Sequence, residues 1–371
     1  MKNVEWGAYR INQLFRTIAV KRKLKGEDIS YKGVFPAYSS DSENNGIVGY
    51  YNIPEFICDN NNPVYVIFGD HTRTMNIARN SFSVLDNVKV LQPYVDKDNA
   101  LLFIFSVWRK QIPNLGYKRH WNIAKDCVLE LPIKNGKPDF DFMESFIAEL
   151  ESERIAELSA YLKASGFDNY ELSAQELKAL ENLKTISWNE YRIGELFNKI
   201  KTKKLAYKAK ELPNVPTGEF VLPCLTSSFQ NQGLNYYVPK AGATILKNVI
   251  TIPQNSDVYR AYYQSNDFTV LSDAYAMDWI YDDNKLTRNQ YLFMVMCINK
   301  VTDLPIYSYK NKLGGWNVVK DKYILLPTTN GKIDLDFMDA FISTVIKLAI
   351  KDVVVYTDRK IKATKQVVSC K

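Results

Sequence analysis

Residues Trp121–Ile147 read WNIAKDCVLELPIKNGKPDFDFMESFI, and residues Trp316–Ile342 read WNVVKDKYILLPTTNGKIDLDFMDAFI. Fifteen of the 27 aligned positions are identical, at one constant offset of 195 residues. Chance does not give that within one chain. The chain is a tandem duplication, and a duplication decides the fold before any single element is read. The match extends upstream: EWGAYRINQLF (5–15) pairs with SWNEYRIGELF (187–197), VFPAYSS (34–40) with VLPCLTS (221–227), and FSVLD (82–86) with FTVLS (268–272). The offset is 182, then 187, then 186, and changes only between matched blocks. Insertions therefore fall in connecting loops, where they disturb a core least.

A chain of 371 residues is too long for one ordinary core, which suits two or three domains. With 46% apolar residues the composition is globular. No apolar run approaches the roughly 20 residues that span a bilayer. The opening MKNVEWGAYRINQLF lacks the apolar run and cleavage site of a signal peptide. Cys58, Cys127, Cys224, Cys297 and Cys370 are odd in number, and none forms a CxxC pair. They predict a reduced, cytoplasmic protein with buried thiols and no structural zinc site. The net charge of +7 divides by segment: +6 over 1–138, −7 over 139–185, +6 over 186–333 and +2 over 334–371. These are the expected domains: two basic globular units, each followed by a helical spacer. Two matched basic units suit a polyanion held at two places, although a charge of that size also serves solubility.

The periodicity predicts an α/β (α+β) fold for each unit. Each opens with a short amphipathic element (Tyr9–Phe15, Tyr191–Phe197), followed by a basic stretch: Lys21, Arg22, Lys23 and Lys25, or Lys199, Lys201, Lys203 and Lys204. Val64–Phe68, Phe82–Leu85, Val88–Leu91, Val249–Ile252 and Phe268–Leu271 read as strands. Ala100–Trp108 and Asn289–Ile298 read as buried helices, and Val128–Pro132 and Tyr323–Pro327 as last strands that stop at proline. After the NGKxD turns comes helical periodicity. Met143, Ile147, Leu150, Leu158 and Tyr161 form one stripe, and Met338, Ile342, Val345, Val353 and Tyr356 repeat it. Two such helices bury matching faces most economically by pairing antiparallel, as coiled-coil spacers about an internal pseudo-two-fold axis. A helix over 141–163 is roughly 35 Å long, close to one turn of B-DNA, about 34–36 Å. A short helix is expected over Ser173–Leu183.

Enzymatic signatures are missing. The two histidines, His71 and His120, belong to no metal-spaced cluster, and no GxSxG, HExxH, Walker A or GxGxxG motif is present. The catalytic residue expectation is therefore none, the metal expectation none, and the cofactor expectation none in this chain. Asp70 and His71 in GDHTR resemble a catalytic pair, but the second copy has QNSDVYR there, without histidine. What the diverging loops do carry is side chains suited to nucleic acid. In the first copy these are Tyr38, Ser39, Ser40 and Asn44, then His71, Thr72 and Arg73, then Lys118 and Arg119. In the second they are Thr226, Ser227, Ser228 and Gln230, then Gln254, Asn255, Tyr259 and Arg260, then Lys310 and Lys312. With Lys21, Arg22, Lys23, Lys201, Lys203 and Lys204 they make the candidate DNA-binding set. Arg pairs with guanine and Asn or Gln with adenine, while Lys, Ser and Thr serve phosphates. Such residues are also common in loops, so the case rests on corresponding clusters in both copies.

The whole pattern resembles the specificity (S) subunit of type I restriction–modification systems and of the related type IIB systems. The resemblance rests on Trp6–Phe15 with Trp188–Phe197, on the WNxxKD…LPxxNGKxDxDFM segments, and on ELESERIAELSAYLKASG (149–166). It implies a non-catalytic subunit whose two target-recognition domains each read half of a bipartite site in double-stranded DNA. It implies helices that set the gap and dock a DNA methyltransferase, and a restriction/translocase subunit in type I systems. It assigns S-adenosylmethionine, Mg2+ and ATP to those partners, and it implies no membrane association. The alternative that the residues leave open is a tandem binding module for RNA or an acidic protein.

Overall fold

The computed structural model describes residues 4–271 and 273–369, with side chains through Thr364. One compact unit comprises Met1–Ala160 with Thr357–Lys371, the other Tyr161–Tyr356. Each contains the same three sheets in the same strand order.

In the first unit Glu5–Arg10 pairs antiparallel with Val128–Lys134, which turns back into Lys137–Pro138. A four-stranded antiparallel sheet follows the order Phe15–Ile18, Val88–Pro93, Tyr65–Gly69, Met75–Ala78. A third sheet places Phe35–Tyr38 between Ile47–Tyr51 and, in parallel, Ser83–Val84. In the second unit Ser187–Arg192 pairs with Tyr323–Thr329 and Lys332–Ile333. Its four-stranded sheet runs Phe197–Lys199, Ala274–Trp279, Val249–Pro253, Tyr262–Gln264, and its third sheet sets Phe220–Leu225 between Leu234–Pro239 and Thr269–Val270. Even the register is kept: Trp6 lies opposite Pro132, and Trp188 opposite Pro327.

Several identical positions of the repeated stretch have a structural meaning that both units share. Trp121 packs against Phe68 (5.4 Å between centroids) and Trp108 (6.5 Å), while Trp316 meets Tyr275 at 6.0 Å. Each tryptophan thus seats a one-turn helix (Trp121–Ala124, Trp316–Val319) on its core. In NGK, Asn135 and Gly136 have φ 53° and 73°, and Asn330 and Gly331 have 53° and 77°. Two consecutive left-handed residues make the tight hairpin turn that Asn-Gly favours. The next aspartate caps a helix: Asp139 accepts from the Phe142 N–H at 2.9 Å, and Asp334 from Phe337 at 2.8 Å. Met143 and Met338 then enter their respective cores fully buried, where an aliphatic side chain contributes about 1.5–3 kcal/mol.

Several expectations are corrected. The last strands do not stop at proline. They continue to Lys134 and Thr329, because Pro132 and Pro327 still offer carbonyls, which accept from Asp139 and Asp334 N–H at 2.8 and 2.9 Å. The amphipathic opening elements are strand, one helical turn, then strand (Glu5–Arg10, Ile11–Leu14, Phe15–Ile18). The second long helix runs unbroken over Leu335–Ser369, β-branched Val353–Val355 included. The first covers Phe140–Ala164 and closes at Gly166, φ 68°. Ser173 caps the short helix Ala174–Asn182 with a capping box to Glu176.

Beyond the first two turns the helical stripe departs from the expected one at every position but Leu158. Met143 is buried and Ile147 half-buried against the first core, and Met338 and Ile342 are buried in the second. Farther along, Leu158 is half-buried, but Leu150 and Tyr161 are 38% and 62% exposed, and Val345, Val353 and Tyr356 are 40–42% exposed. The more buried positions are Glu151, Ile155 and Leu162 in the first helix and Ile346, Ile350, Val354 and Thr357 in the second. A stripe read from apolar identity alone misses Glu151 and Thr357. Glu151 is accommodated by the Lys360 ammonium at 2.7 Å, within the first unit. Cys224 and Cys297 are buried as expected, with burial pushing both thiols up to about 12. Cys58 and Cys127 are only half-buried, and Cys370 lies outside the described residues. No helix among the described residues is long and apolar enough to cross a membrane.

Candidate nucleic-acid interface

In the first unit four loops meet around a cleft of about 590 Å3, lined by Lys25, Ser39, Ser40, Asp41, His71, Asp86, Asn87 and Tyr117 among others. Backbone chemistry assembles it. Asn87 takes φ 63° and its carbonyl accepts from the Asp70 N–H at 2.9 Å, tying the 85–88 turn to the end of strand Tyr65–Gly69. Ser40 Oγ accepts from the His71 N–H at 2.8 Å. The His71 ring stacks on Tyr117 at 4.3 Å with an interplanar angle of 4°, and its Nδ1–H donates to the Tyr117 carbonyl at 2.8 Å. Of the candidate residues, Ser39, Ser40 and His71 stand together on this one cleft. Sequence reasoning misses Tyr117, Asp86 and Asn87, although the Asp-Asn turn in LDNV is a signal that marks such a corner.

GDHTR is a structural clasp. Asp70 is buried and accepts from the N–H groups of His120 and Trp121. Buried His120 donates from Nδ1 to the Asp70 carbonyl at 2.8 Å and accepts from the Leu115 N–H at Nε2. Both of its ring nitrogens are committed. Thr72 bonds Thr74, and Arg73, with φ 58°, donates to the Ile112 carbonyl at 2.8 Å. Arg73 thus supports the loop that presents His71. Tyr38 is buried edge-on against Phe82, which removes it from the surface. Asn44, at φ 45°, bonds the Ile47 carbonyl and closes the turn it belongs to.

The basic stretch is partly committed. Lys21 is exposed, Arg22 lies over the Tyr51 ring and bonds its hydroxyl, and Lys23 pairs with Asp86 at 2.6 Å. Lys118 is exposed, and Arg119 reaches Asp86 from the other side at 3.5 Å.

The second unit builds the same corner with other residues. The Gln254 N–H donates to the Asp273 carbonyl at 2.6 Å, as Asp70 does to Asn87, and Asp273 also has positive φ, 57°. The Gln254 side chain lies against Gly315, in the place of the Asp70–His120 contact. Asn255 donates to the Asp273 carboxylate at 2.5 Å. The turn Asn231, Gln232, Gly233 repeats the left-handed run of Asn44, Asn45, Gly46. Thr226 is buried and organises that turn, with Ser227 and Ser228 half-buried and Gln230 exposed. Tyr259 is buried in the core beside Tyr307, since its ring completes an aromatic layer, and Arg260 is neutralised by Asp303 at 2.6 Å. The Tyr259 ring is thereby removed from the surface, while Arg260 stays about half exposed in its ion pair. Lys201, Lys203, Lys204 and Lys310 are exposed, and Lys312 rides over the Tyr309 ring at 4.7 Å.

Three comparisons bear on what such paired corners are for. The family model described as the type I restriction modification DNA specificity domain matches the chain twice, over residues 3–160 and 186–354. The specificity subunit S.BcgI of a type II restriction enzyme from Heyndrickxia coagulans is 23% identical over 284 residues, 75% of this chain and 76% of that protein. The crystal structure of the S subunit of a type I restriction-modification system from M. genitalium superposes with a TM-score of 0.58 at 13% identity, covering 99% of this chain and 95% of that one. That likeness concerns the fold. The family match takes in most of the chain and both copies of the repeat: this protein belongs to the family of type I restriction modification DNA specificity domains, as a non-catalytic specificity subunit with two target-recognition domains.

Proposed function

We propose that each unit reads one half of a bipartite site in double-stranded DNA through the corner described above. The first would use the cleft around Ser39, Ser40, His71 and Tyr117. The second would use the corner around Gln254, Asn255 and Gln230, with Lys201, Lys203, Lys204, Lys310 and Lys312 on the phosphates. One observation carries this reading: the two units share strand order, register and turn conformation, yet differ in the side chains at that corner. Identical scaffolds with divergent corners suit two readings made in one frame.

The chain acts with DNA and with other subunits. Under this proposal the partners are a DNA methyltransferase, which supplies S-adenosylmethionine chemistry, and a Mg2+-dependent nuclease that uses ATP where it translocates. The helical segments Phe140–Ala164 and Leu335–Ser369 set the gap between half-sites and dock the methyltransferase.

The test is methylation profiling of a host carrying the chain and its methyltransferase. The expected result is a two-part motif with a non-specific gap. Exchanging residues 1–138 for another family member's first domain should change one half of that motif only. A swap that changes both halves, or neither, overturns the assignment of one half-site to each unit.

A further inference from the structure

Asp86, which lines the first unit's cleft, pairs with two cations of neighbouring loops. Lys23 Nζ lies 2.6 Å from Asp86 Oδ1, and Arg119 Nη2 lies 3.5 Å from Asp86 Oδ2. The cations come from separate loops, and all three side chains are about half exposed: 46% for Lys23, 57% for Arg119 and 54% for Asp86. Ion pairs this exposed contribute little to folding, about 0–1 kcal/mol. Their effect is on the field of the cleft. Asp86 sits there beside His71 and Tyr117, on a turn fixed by the left-handed Asn87 and by the bond from Asp70 to the Asn87 carbonyl.

The duplicated unit supplies the contrast. By the FSVLD/FTVLS alignment the position of Asp86 is taken by Ser272, an uncharged residue. Among the described residues no carboxylate pairs with Lys201, Lys203 or Lys204.

We infer that Asp86 is a specificity-determining residue that restrains non-specific DNA binding by the first unit. This rests on the reading of the cleft as a DNA-contacting surface. A phosphodiester that enters must displace Asp86 from Lys23 and Arg119 and stay near its negative charge. Only a sequence that also satisfies the base-reading side chains offsets that cost. Discrimination is thereby raised by penalising the wrong partner as well as by favouring the right one. In the second unit the corner carboxylate, Asp273, is held by Asn255, and among the described residues Lys201, Lys203 and Lys204 have no acidic partner, so they supply phosphate affinity without that restraint.

The experiment uses the full chain and a 30-base-pair duplex of arbitrary sequence, with Kd measured by fluorescence anisotropy between 50 and 200 mM KCl. Asp86→Asn keeps the shape and removes the charge. It should tighten binding about ten-fold at low salt, and steepen the slope of log Kd against log salt by about 1.8, as two freed cations each reach a phosphate. Asp86→Ser, the second unit's residue, should do the same. Adding Lys23→Ala and Arg119→Ala to Asp86→Asn should return the slope to the wild-type value. A steep wild-type slope that neither Asp86 variant changes overturns this inference and leaves the DNA reading intact. A flat wild-type response overturns the DNA reading, and this inference with it.

Discussion

The Asp70 carboxylate accepts a hydrogen bond from the Trp121 N–H at 2.7 Å and one from the His120 N–H at 2.8 Å. One buried side chain thus fastens the end of strand Tyr65–Gly69 to the first residue of the repeated stretch. The neighbouring pair Asp70–His71, so suggestive of catalysis in the sequence, is divided in the structure. Asp70 faces inward and holds the scaffold, while His71 is stacked on Tyr117 in the cleft.

The division predicts opposite behaviour for the two residues. Asp70→Ala strips a charged acceptor from two buried N–H groups and should cost about 2–3 kcal/mol, read as a lower urea midpoint for the full chain. His71→Ala should leave that midpoint within about 0.5 kcal/mol and instead weaken or relax recognition of one half of the methylated motif. Equal destabilisation by both substitutions would return His71 to the scaffold.

Cations without acidic partners should dominate the salt response. Lys201, Lys203 and Lys204 lie together and exposed. Replacing all three with alanine should lower the slope of log Kd against log salt by up to about 2.7, at 0.9 per phosphate contact. The weakening should be uniform over duplex sequences, because phosphate contacts position without specifying. A sequence-dependent loss would place one of these lysines on a base edge.

Tyr259 tests the boundary between core and surface. Its ring is buried, and its hydroxyl has no hydrogen-bond partner among the described residues. Tyr259→Phe removes an unsatisfied polar atom while keeping the ring. It should be neutral or stabilise by up to about 1 kcal/mol, with the methylated motif unchanged. A changed motif would show that the hydroxyl is reached in the complex.

These residues also show what was legible in advance. The duplication, the capped hairpin NGKxD and the helix after it could be read because each depends on local chemistry that recurs at a fixed offset. Asn-Gly needs left-handed backbone, and aspartate caps the helix that follows it. The corner was only half legible. Ser39, Ser40 and His71 stand in diverging loops and prove adjacent. Tyr259, Tyr38, Arg260 and Arg73 have the same composition signal, yet are spent on the core, on Asp303 or on the Ile112 carbonyl. Which polar side chain is committed internally depends on contacts far along the chain. Asp86 was invisible for the same reason, since its partners lie 63 and 33 residues away. The helical stripe departs from the apolar pattern where buried Thr357 and the ion-paired, half-buried Glu151 occupy positions that apolar pattern matching skips.

Glu176 gives a pH signature specific to the second unit. Burial raises its pKa, yet hydrogen bonds from Ser343 Oγ (2.5 Å), Lys347 Nζ (2.9 Å) and the Ser173 N–H (2.7 Å) outweigh that and hold it at about 2, below the ordinary 4.5. A depressed folded-state pKa contributes stability above the unfolded value, lost as pH falls toward the folded one. At 1.36 kcal/mol per unit the contribution is about 3 kcal/mol near neutral pH. Glu176→Gln should therefore destabilise the chain by about that amount at pH 6, and the difference from wild type should shrink by about 2 kcal/mol by pH 3. Measuring the difference between the two proteins cancels the other carboxylates, which titrate in both. A difference that stays constant from pH 6 to pH 3 would mean that Glu176 acts through shape and hydrogen-bond acceptance, and that its charge contributes nothing to holding the short helix Ala174–Asn182 against Ser343 and Lys347.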